Sequence, residues 1–340
     1  MKEAILYDRL SGNKVRCNIC QRRCEIPEGK RGYCWTRLNQ KGELYSLAYG
    51  RVSFMSVAPI EKKPLYHFYP GSFAMSFGTL GCNFRCPGCQ NWDIAHAKID
   101  LDGGQTEYVS PEDSIKLAKR HGCEGMSWTY NEPSIWFEYT LDGARLSKKA
   151  NLYTTYVTNG YITCEALDMI GPYLDAFRVD LKGFSKDLYK KIANLSDFRG
   201  ILDVTKRAKD KWRMWVEIVT NIIPGYSDDE THLRKIASWI VKDLGEDTPW
   251  HVTQFIPHLK LKNLSPTPVA TLERARGIGQ DVGLRWVYIG NIPGHPGQNT
   301  YCPECNELLI ERYDFGPVQN MLAPGGKCQN CGVEIPGRFH

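Results

Sequence analysis

The sequence predicts an α/β protein whose central part is a partial (β/α) barrel, with a small cysteine-rich segment before it and a zinc-ribbon-like module after it. Three observations favour this class. Strand-like and helix-like stretches alternate over about 220 residues, polar residues follow the strand-like stretches, and most of the 13 cysteines fall into three clusters. A chain of 340 residues accommodates roughly two domains or one large barrel with appendages. We place the boundaries at 1–68, 69–291 and 292–340.

Seven strand-like stretches alternate with amphipathic stretches in the central part. We predict strands at 73–80, 125–130, 153–158, 176–181, 214–220, 251–256 and 284–289. We predict helices that include 112–120, 135–149, 187–192 and 229–244. Alternation of strand and helix indicates a parallel sheet with crossover helices. Seven short strands suit a partial barrel better than a flat doubly wound sheet.

Composition places the chain among ordinary globular proteins, since 42% of its residues are hydrophobic and 24% are charged. No apolar stretch reaches the roughly 18 residues of a membrane span, and the first residues lack the apolar core of a signal peptide. We therefore expect a cytoplasmic protein with no membrane partner. The net charge of +5 is compatible with an anionic partner. Basic and aromatic residues do not alternate in a stripe, so nucleic acid ranks last among the candidate substrates.

Four cysteines near the C-terminus form two CxxC pairs. Cys302-Pro-Glu-Cys305 and Cys328-Gln-Asn-Cys331 are separated by 22 residues. Each pair can fold as a knuckle whose two thiolates face one ion, and two knuckles complete a tetrahedron. The spacing predicts a structural zinc site. An iron site of the rubredoxin type is the alternative, because it uses the same ligands.

A second group of four cysteines, Cys17, Cys20, Cys24 and Cys34, lies near the N-terminus. With this many thiols and no export signal, metal binding is a better explanation than disulfides. Four thiolates suit either zinc or a closed auxiliary iron–sulfur cluster, and the spacing leaves both open. The two remaining cysteines stand alone and receive no role, because a lone cysteine usually packs as a small apolar side chain.

The central cysteines differ because there are only three of them, Cys82, Cys86 and Cys89, directly after a predicted strand. Three thiolates can hold three irons of a [4Fe–4S] cluster and leave the fourth iron open to another ligand. An open position of this kind is typical of a catalytic metal site. The alternatives are a zinc site completed by a distant residue such as His96, and thiols that bind no metal.

Polar side chains follow each predicted strand, at the end where parallel barrels carry their active sites. Asp180 and Lys182 lie two residues apart and therefore face the same side of a strand. Burying both is costly unless they pair or hold a charged ligand. A structural Asp–Lys pair is the alternative, and Glu132 has one too, as the cap of a helix start. The residues of this predicted rim are Cys82, Asn131, Glu132, Thr158, Asn159, Asp180, Lys182, Asn221, His258 and Asn291.

The motifs around these residues resemble those of the radical S-adenosylmethionine (SAM) superfamily. The CxxxCxxC triplet after a strand is similar to the core of that superfamily, over 69–291. Cys89-Gln-Asn, YVTNG at 156–160 and DLKG at 180–183 resemble the glycyl-radical-enzyme activases, such as pyruvate formate-lyase activating enzyme. The N-terminal cysteines, APIEKKPL at 58–65 and TYNEP at 129–133 resemble one branch more closely. That branch is the radical SAM component of the AmmeMemoRadiSam system, which occurs with Memo-like and AMMECR-like proteins.

The resemblance implies a [4Fe–4S] cluster on Cys82, Cys86 and Cys89, with SAM on the open iron. One electron, from a reductant such as ferredoxin or flavodoxin, would cleave SAM to methionine and a 5′-deoxyadenosyl radical. That radical would take hydrogen from a protein, a peptide or a small molecule, since the cofactor supplies the difficult chemistry. A non-enzymatic iron–sulfur or zinc scaffold, or an electron-transfer protein, is the alternative.

The resemblance also implies which residues contact SAM. Its amino group, ribose and methionine end would lie against polar residues that follow three neighbouring strands. These residues are Tyr130, Asn131 and Glu132 for the amino group, Thr158 and Asn159 for the ribose, and Asp180 and Lys182 for the methionine end. A lysine carries a point charge suited to the SAM carboxylate, so we expect Lys182 to act in catalysis as well.

Two positions depart from the pattern of the family. Gly88 stands where related triplets often carry an aromatic residue that packs on the adenine, and Phe84 and Trp92 are the candidates to replace it. Tyr130 stands where many relatives carry a glycine. We therefore expect the contacts to the adenine and the backbone around SAM to differ from those of the relatives.

Overall fold

Short antiparallel strands make up the N-terminal part of the computed structural model, which describes residues 1–100 and 103–340. These strands are β1 (Lys2–Glu3), β2 (Tyr7–Arg9), β3 (Val15–Cys17), β4 (Glu25–Ile26), β5 (Arg37–Gln40), β6 (Glu43–Ser46) and β7 (Arg51–Val52). Glycines and charged residues interrupt the apolar runs here, so no strand exceeds four residues. One sheet has the order β2-β3-β4 and another has the order β1-β6-β5.

The central sheet has eight strands and is almost entirely parallel. The strands of this part are β8 (Phe54–Pro59), β9 (Phe73–Gly78), β10 (Glu107–Tyr108), β11 (Gly125–Trp128), β12 (Tyr153–Thr158), β13 (Ala176–Asp180), β14 (Trp215–Ile222), β15 (Trp250–Gln254) and β16 (Val287–Gly290). Their order is β16-β15-β14-β13-β12-β11-β9-β8, while β10 pairs with β7 outside the sheet. All neighbours run parallel except β8, which is antiparallel to β9. The predicted α/β class and parallel sheet are confirmed.

Helices connect the parallel strands, as crossover connections require. They are α1 (Trp92–Ala95), α2 (Pro111–Arg120), α3 (Phe137–Lys149), α4 (Cys164–Ile170), α5 (Lys186–Ala193), α6 (Arg199–Asp210), α7 (Glu230–Trp239) and α8 (Val269–Asp281). Ser110, Thr163, Ser185 and Asp229 cap helix starts by accepting a backbone N–H bond. No helix in the described ranges is both long and apolar enough to cross a membrane.

Several predicted boundaries shift by a few residues for local reasons. The predicted strand 125–130 ends at Trp128, because Tyr130 has a φ of 73° and cannot continue an extended strand. The predicted helix 135–149 begins as a 3₁₀ turn at Pro133–Trp136 and becomes α-helical at Phe137. The predicted helix 229–244 is α-helical to Trp239, and a π-helical turn then covers Ile240–Leu244.

The C-terminal module consists of small antiparallel sheets that pack on the central part. Its strands are β17 (Thr300–Tyr301), β18 (Leu308–Tyr313), β19 (Gly316–Asn320), β20 (Leu322–Ala323) and β21 (Lys327–Cys328). Leu309 and Ile310 share a buried cluster with Tyr66 and Tyr288 of the central part. The buried Arg312 guanidinium donates to the Tyr66 carbonyl at 2.9 Å. Apolar contact and a charged hydrogen bond thus fix the module.

A buried carboxylate on β14 joins the connection between β8 and β9 to the middle of the sheet. Glu217 accepts hydrogen bonds from the backbone N–H groups of Tyr66 at 3.0 Å and His67 at 2.9 Å. Its other neighbours are the Trp215 indole N–H at 2.8 Å and His251 Nε2 at 2.6 Å. Burial opposes ionisation of Glu217, but these hydrogen bonds outweigh it and lower the pKa of the carboxyl group.

Acid is expected to destabilise the protein through His67. Burial lowers the pKa of His67 to about 4, whereas an unfolded histidine titrates near 6.5. Between these values the unfolded state binds a proton that the folded state does not. The free energy of unfolding should therefore fall, by roughly 2 kcal/mol for this residue, as the pH is lowered from 7 to 5. Thermal unfolding at several pH values measures the dependence.

The matched variants are His67→Gln and His121→Gln, the second at an exposed helix end. His67→Gln should show the shallower pH dependence, and His121→Gln should keep that of the wild type. Equal pH dependence in His67→Gln and the wild type would contradict the assignment.

Candidate active site

The three central cysteines lie in the loop between β9 and α1. The Cys82 sulfur accepts a hydrogen bond from the Phe84 N–H at 3.4 Å, and the Cys89 N–H donates to the Cys86 carbonyl at 3.3 Å. Burial raises the pKa of all three thiols, that of Cys89 to about 12. Buried thiols of this kind stay protonated unless a cation, such as a metal ion, binds them.

The separation of these sulfurs favours a cluster over a single ion. Across the described ranges, the Sγ atoms of Cys82, Cys86 and Cys89 do not all lie within 4.8 Å of one another. Thiolates around one zinc ion lie roughly 4 Å apart, given a Zn–S bond of about 2.3 Å. Thiolates that bind different irons of a [4Fe–4S] cluster lie farther apart. The triplet therefore fits the cluster better than it fits a single zinc ion.

A cavity of about 310 Å³ opens beside the triplet, at the carboxyl ends of the parallel strands. That size is in the range of small-molecule sites. Its position matches the rim at which parallel α/β proteins bind ligands. The predicted residues that line it are Cys86, Cys89, Tyr130, Asp180, Lys182, Asn221 and Asn291.

Asp180 and Lys182 meet inside this cavity. The Lys182 ammonium lies 3.6 Å from an Asp180 carboxylate oxygen, and Arg178 also donates to Asp180. The prediction that the two side chains face the same way is confirmed. Burial opposes ionisation of Asp180, but Arg178 and Lys182 outweigh it and lower the pKa of the carboxyl group. Burial likewise opposes the charge of Lys182, yet Asp180 and Cys86 raise its pKa, so the cavity wall carries a fixed positive charge.

Glu132 is buried beneath the cysteine loop and is fully occupied by protein partners. Its carboxylate accepts from the Thr158 hydroxyl at 2.8 Å, the Asn159 N–H at 2.8 Å and the Ser134 N–H at 3.0 Å. The last of these bonds caps the 3₁₀ turn, as one interpretation of the sequence expected. Among the described residues that line the cavity, neither Glu132 nor Thr158 nor Asn159 is found.

Two asparagines attach the cysteine loop to the neighbouring strands. The Asn159 amide donates to the Asn83 side-chain oxygen at 2.7 Å. The Asn131 amide donates to the Gly81 carbonyl at 2.8 Å. Gly81 and Asn83 flank Cys82 in the chain, so both bonds act on the position of that cysteine. The predicted group of Asn131, Glu132, Thr158 and Asn159 is therefore assembled, directly behind the loop.

Tyr130 lines the cavity and closes one side of it. Its hydroxyl lies 2.6 Å from the Ser56 hydroxyl, and the buried Lys63 ammonium lies 5.0 Å from the ring centroid. The Asn91 amide donates to its carbonyl at 2.6 Å. The left-handed backbone at Tyr130 turns the chain at the end of β11 and directs this carbonyl toward the cysteine loop.

The glycine before the last cysteine faces two apolar side chains. A Cβ atom on Gly88 would lie 3.0 Å from both Phe255 and Leu261, so these side chains occupy the space of a larger residue. Phe84 is buried and Trp92 is 46% exposed, and neither is among the described cavity-lining residues. Phe255, which our sequence analysis missed, is the aromatic residue that lies against Gly88 at the cavity.

Other cavity residues were also missed. Arg178 precedes Asp180 by two residues on β13, so the two-residue period of a strand could have revealed it. His251 lies near the start of its strand and not at the end that carries the rim. It lines the cavity because the cavity extends down along the strand. Asp314 and Phe315 belong to the turn between β18 and β19. Nothing in their local sequence shows that the C-terminal module packs beside the cavity.

The C-terminal cysteines converge on one point. The sulfurs of Cys302 and Cys331 are 3.5 Å apart, those of Cys305 and Cys328 are 3.7 Å apart, and all four lie within 4.8 Å of one another. These separations fit four ligands of one tetrahedral ion. The metal-binding module is confirmed, and the identity of the ion as zinc stays a prediction.

Comparison with known proteins agrees with this geometry. The model of the radical SAM superfamily matches residues 77–236. This range holds the cysteine triplet, the Glu132 network and the Asp180–Lys182 pair. The chain belongs to the radical SAM superfamily. It is therefore an enzyme of SAM-dependent radical chemistry, a class that uses a [4Fe–4S] cluster and SAM.

Three proteins illustrate the relationship. The chain is 42% identical to an uncharacterized protein of Methanocaldococcus jannaschii over 336 residues, which cover 98% of this chain and 99% of that protein. It is 25% identical to the pyruvate formate-lyase-activating enzyme of Clostridium pasteurianum, over 48% of this chain and 67% of that enzyme. In fold it is similar to Streptococcus suis SuiB bound to SAM, with a TM-score of 0.51 and 12% identity over 72% of this chain and 56% of that chain.

Replacement of Glu132 by glutamine should weaken the hydrogen bonds that Thr158 and Asn159 make to this side chain behind the cysteine loop. A glutamine side chain has one oxygen and one amide NH₂, so it cannot accept all the bonds of the carboxylate, and a buried N–H group loses its acceptor. The expected cost is about 1–3 kcal/mol in the free energy of unfolding. Chemical denaturation of Glu132→Gln measures it, with the exposed Glu107→Gln as the control. Equal stability of the two variants would show that the carboxylate contributes no more than a surface glutamate.

Proposed function

We propose that this chain is a radical SAM enzyme of the activating-enzyme type that takes a hydrogen atom from a polypeptide. The observation that carries the proposal is the arrangement of one cavity, in which Cys86 and Cys89 share a wall with Asp180 and Lys182. A site for a cluster and a site for a charged small molecule are thereby adjacent. The similarity to an activating enzyme supports the same assignment.

Cys82, Cys86 and Cys89 would hold the [4Fe–4S] cluster, and the cavity beside them would hold SAM. When bound, this pair supplies the one-electron cleavage that yields methionine and a 5′-deoxyadenosyl radical. The chain's own residues would bind and orient SAM. The Lys182 ammonium provides a fixed positive charge for the carboxylate of the methionine end, and Asp180 holds that ammonium in place.

Three further groups of the chain complete this assignment. The Tyr130 side chain, with the loop of Asn131 and Glu132 behind it, bounds the cavity on the side where we place the amino group of SAM. Thr158 and Asn159 act as positioning residues, because their polar groups bond to Glu132 and Asn83. Phe255 and Leu261 supply an apolar surface for the adenine, in the place of the aromatic residue that Gly88 lacks.

The mouth of the cavity favours a polypeptide substrate over a free small molecule. Ile256 is 44% exposed and Phe315 is 41% exposed, and both line the cavity. Exposed apolar side chains around an opening are typical of a surface that receives another chain. The ammonium of Lys62 lies 5.4 Å from the Phe315 ring, so the same opening also carries positive charge.

The partners belong to the same proposal. An electron donor such as ferredoxin or flavodoxin would reduce the cluster, and Memo-like and AMMECR-like proteins would take part in the reaction, as the motifs at 58–65 and 129–133 suggest. Deuterium transfer tests the substrate. Candidate polypeptides and small molecules labelled with deuterium would be incubated with the reduced enzyme, with and without these partner proteins. Label in 5′-deoxyadenosine from a small molecule alone would overturn the choice of a polypeptide.

Cleavage of SAM tests the enzyme class directly. Anaerobically reconstituted protein, reduced with dithionite, should convert SAM to 5′-deoxyadenosine, and Cys86→Ala should fall to the rate of the buffer because the cluster loses a ligand. Cys164→Ala is the matched control, since Cys164 lies at the start of α4, away from the loop. Chromatography of the nucleoside products measures both. Absence of product in the wild type, with identical behaviour of Cys86→Ala, would support a non-enzymatic scaffold instead.

Loss of the Lys182 charge should weaken SAM binding. Lys182→Met keeps much of the side-chain volume but removes the ammonium, and we expect the Kd for SAM to rise about tenfold, which corresponds to about 1.4 kcal/mol. Lys186→Met removes an exposed ammonium four residues later and should leave the Kd unchanged. Anaerobic calorimetric titration of the reconstituted proteins measures the two values. Equal affinities in both variants would remove Lys182 from the SAM site.

A further inference from the structure

The N-terminal cysteines surround a small closed cavity instead of meeting at one point. Cys17, Cys20, Cys24 and Cys34 all line a cavity of about 20 Å³. Within the parts of the chain that the structure describes, no three of these four sulfurs lie within 4.8 Å of one another. The four thiols are therefore arranged around a space, and they do not converge on one point as four ligands of a single ion do.

The two four-cysteine sites of this chain differ in the spacing of their sulfurs. Ligands of a cluster and ligands of one zinc ion differ in the same property. The C-terminal sulfurs lie within 4.8 Å of one another, as four ligands of one ion do. The N-terminal sulfurs are more widely spaced and share this property with the Cys82, Cys86 and Cys89 triplet. In a [4Fe–4S] cluster each thiolate bonds to a different iron, which spreads the four sulfurs apart.

The cavity is also lined by hydrogen-bond donors that lack an acceptor. Arg37 is 1% exposed and Asn83 is fully buried, and both line the cavity. The Arg37 Nη2 atom and the Asn83 Nδ2 atom have no hydrogen-bond partner, and the cysteine sulfurs around them are not partners either. A buried donor without an acceptor is costly. A zinc ion would bring no acceptor with it, whereas the bridging sulfides of a cluster accept N–H bonds.

Electrostatics favour a metal–thiolate centre in this cavity. Four thiolates with a cluster carry net negative charge, and the wall of the cavity holds the guanidinium groups of Arg22 and Arg37. Glu138 is 2.6 Å from Arg37 and neutralises part of that charge.

This cavity lies directly against the loop of the central triplet. Asn83 lines it and follows Cys82 in the chain. The Arg22 guanidinium donates to the Asn83 carbonyl at 2.6 Å. The backbone of Cys34 passes so close to Gly81 that a Cβ atom there would lie 2.4 Å from the Cys34 carbonyl oxygen. Only glycine, with a φ of 91°, permits this approach.

We propose that Cys17, Cys20, Cys24 and Cys34 bind a second [4Fe–4S] cluster and not zinc, with Arg37 and Asn83 donating hydrogen bonds to its sulfides. All four irons of this cluster have a protein ligand, so it offers no open position and is redox-active without binding SAM. The proposal does not rest on the function proposed above, because it concerns a site separate from the triplet.

Metal analysis of a variant that lacks the triplet tests the proposal. The Cys82→Ala/Cys86→Ala/Cys89→Ala variant, reconstituted anaerobically with iron and sulfide, should retain about four irons and four sulfides per chain. Reduction with dithionite should produce the electron paramagnetic resonance signal of a reduced [4Fe–4S] cluster. About two zinc ions and no iron in this variant would overturn the proposal.

Further variants separate the cluster from a general loss of structure. Addition of Cys20→Ala to the triple variant should remove the iron, and addition of Cys164→Ala should leave it unchanged. Asn83→Leu should shift the reduction potential of the retained cluster, because one hydrogen bond to a sulfide is lost. If the triple variant does not fold, iron analysis of the wild type, with Mössbauer spectroscopy to identify the iron species, decides, since about eight irons per chain support the second cluster and about four exclude it.

Discussion

Glu132 provides the interaction on which the geometry of the cysteine loop depends. It follows the end of β11 by four residues, and its carboxylate accepts hydrogen bonds from Thr158 and Asn159 at the end of β12. Asn159 then donates to Asn83 beside Cys82. A buried carboxylate is tolerated only when its oxygens accept hydrogen bonds. Glu132, Thr158 and Asn159 therefore have to be in place together. The position of the cysteine loop is therefore set by hydrogen bonds to residues that follow the strands, and not by contacts within the loop.

The charges around the cavity follow from the same architecture. Arg178 and Lys182 lie on one strand face with Asp180 between them, and together they leave an excess of positive charge next to the thiols. In a buried site such fixed charges act over short distances with little screening. They favour anionic occupants, which a metal–thiolate centre and the carboxylate of an amino acid both are. The N-terminal cavity likewise has positive charge next to its thiols, from Arg22 and Arg37.

Much of the fold and part of the site could be predicted from the sequence, and the limits have physical reasons. Spacing alone identified the triplet, and the two-residue period of a strand correctly paired Asp180 with Lys182, because both signals are local. The backbone reversal at Tyr130 was not predicted, since only its surroundings stabilise a left-handed tyrosine. Phe255 was missed because its role depends on the space that Gly88 leaves, and that space is a property of tertiary packing.

The turn between β18 and β19 of the C-terminal module forms part of the cavity wall. Asp314 and Phe315 line the cavity, while the four cysteines of the same module converge at a different place, in an arrangement that could hold an ion. The entrance to the cavity is therefore formed by two separate parts of the chain, and a substitution in the C-terminal module can change what enters without altering any group beside the cysteine triplet.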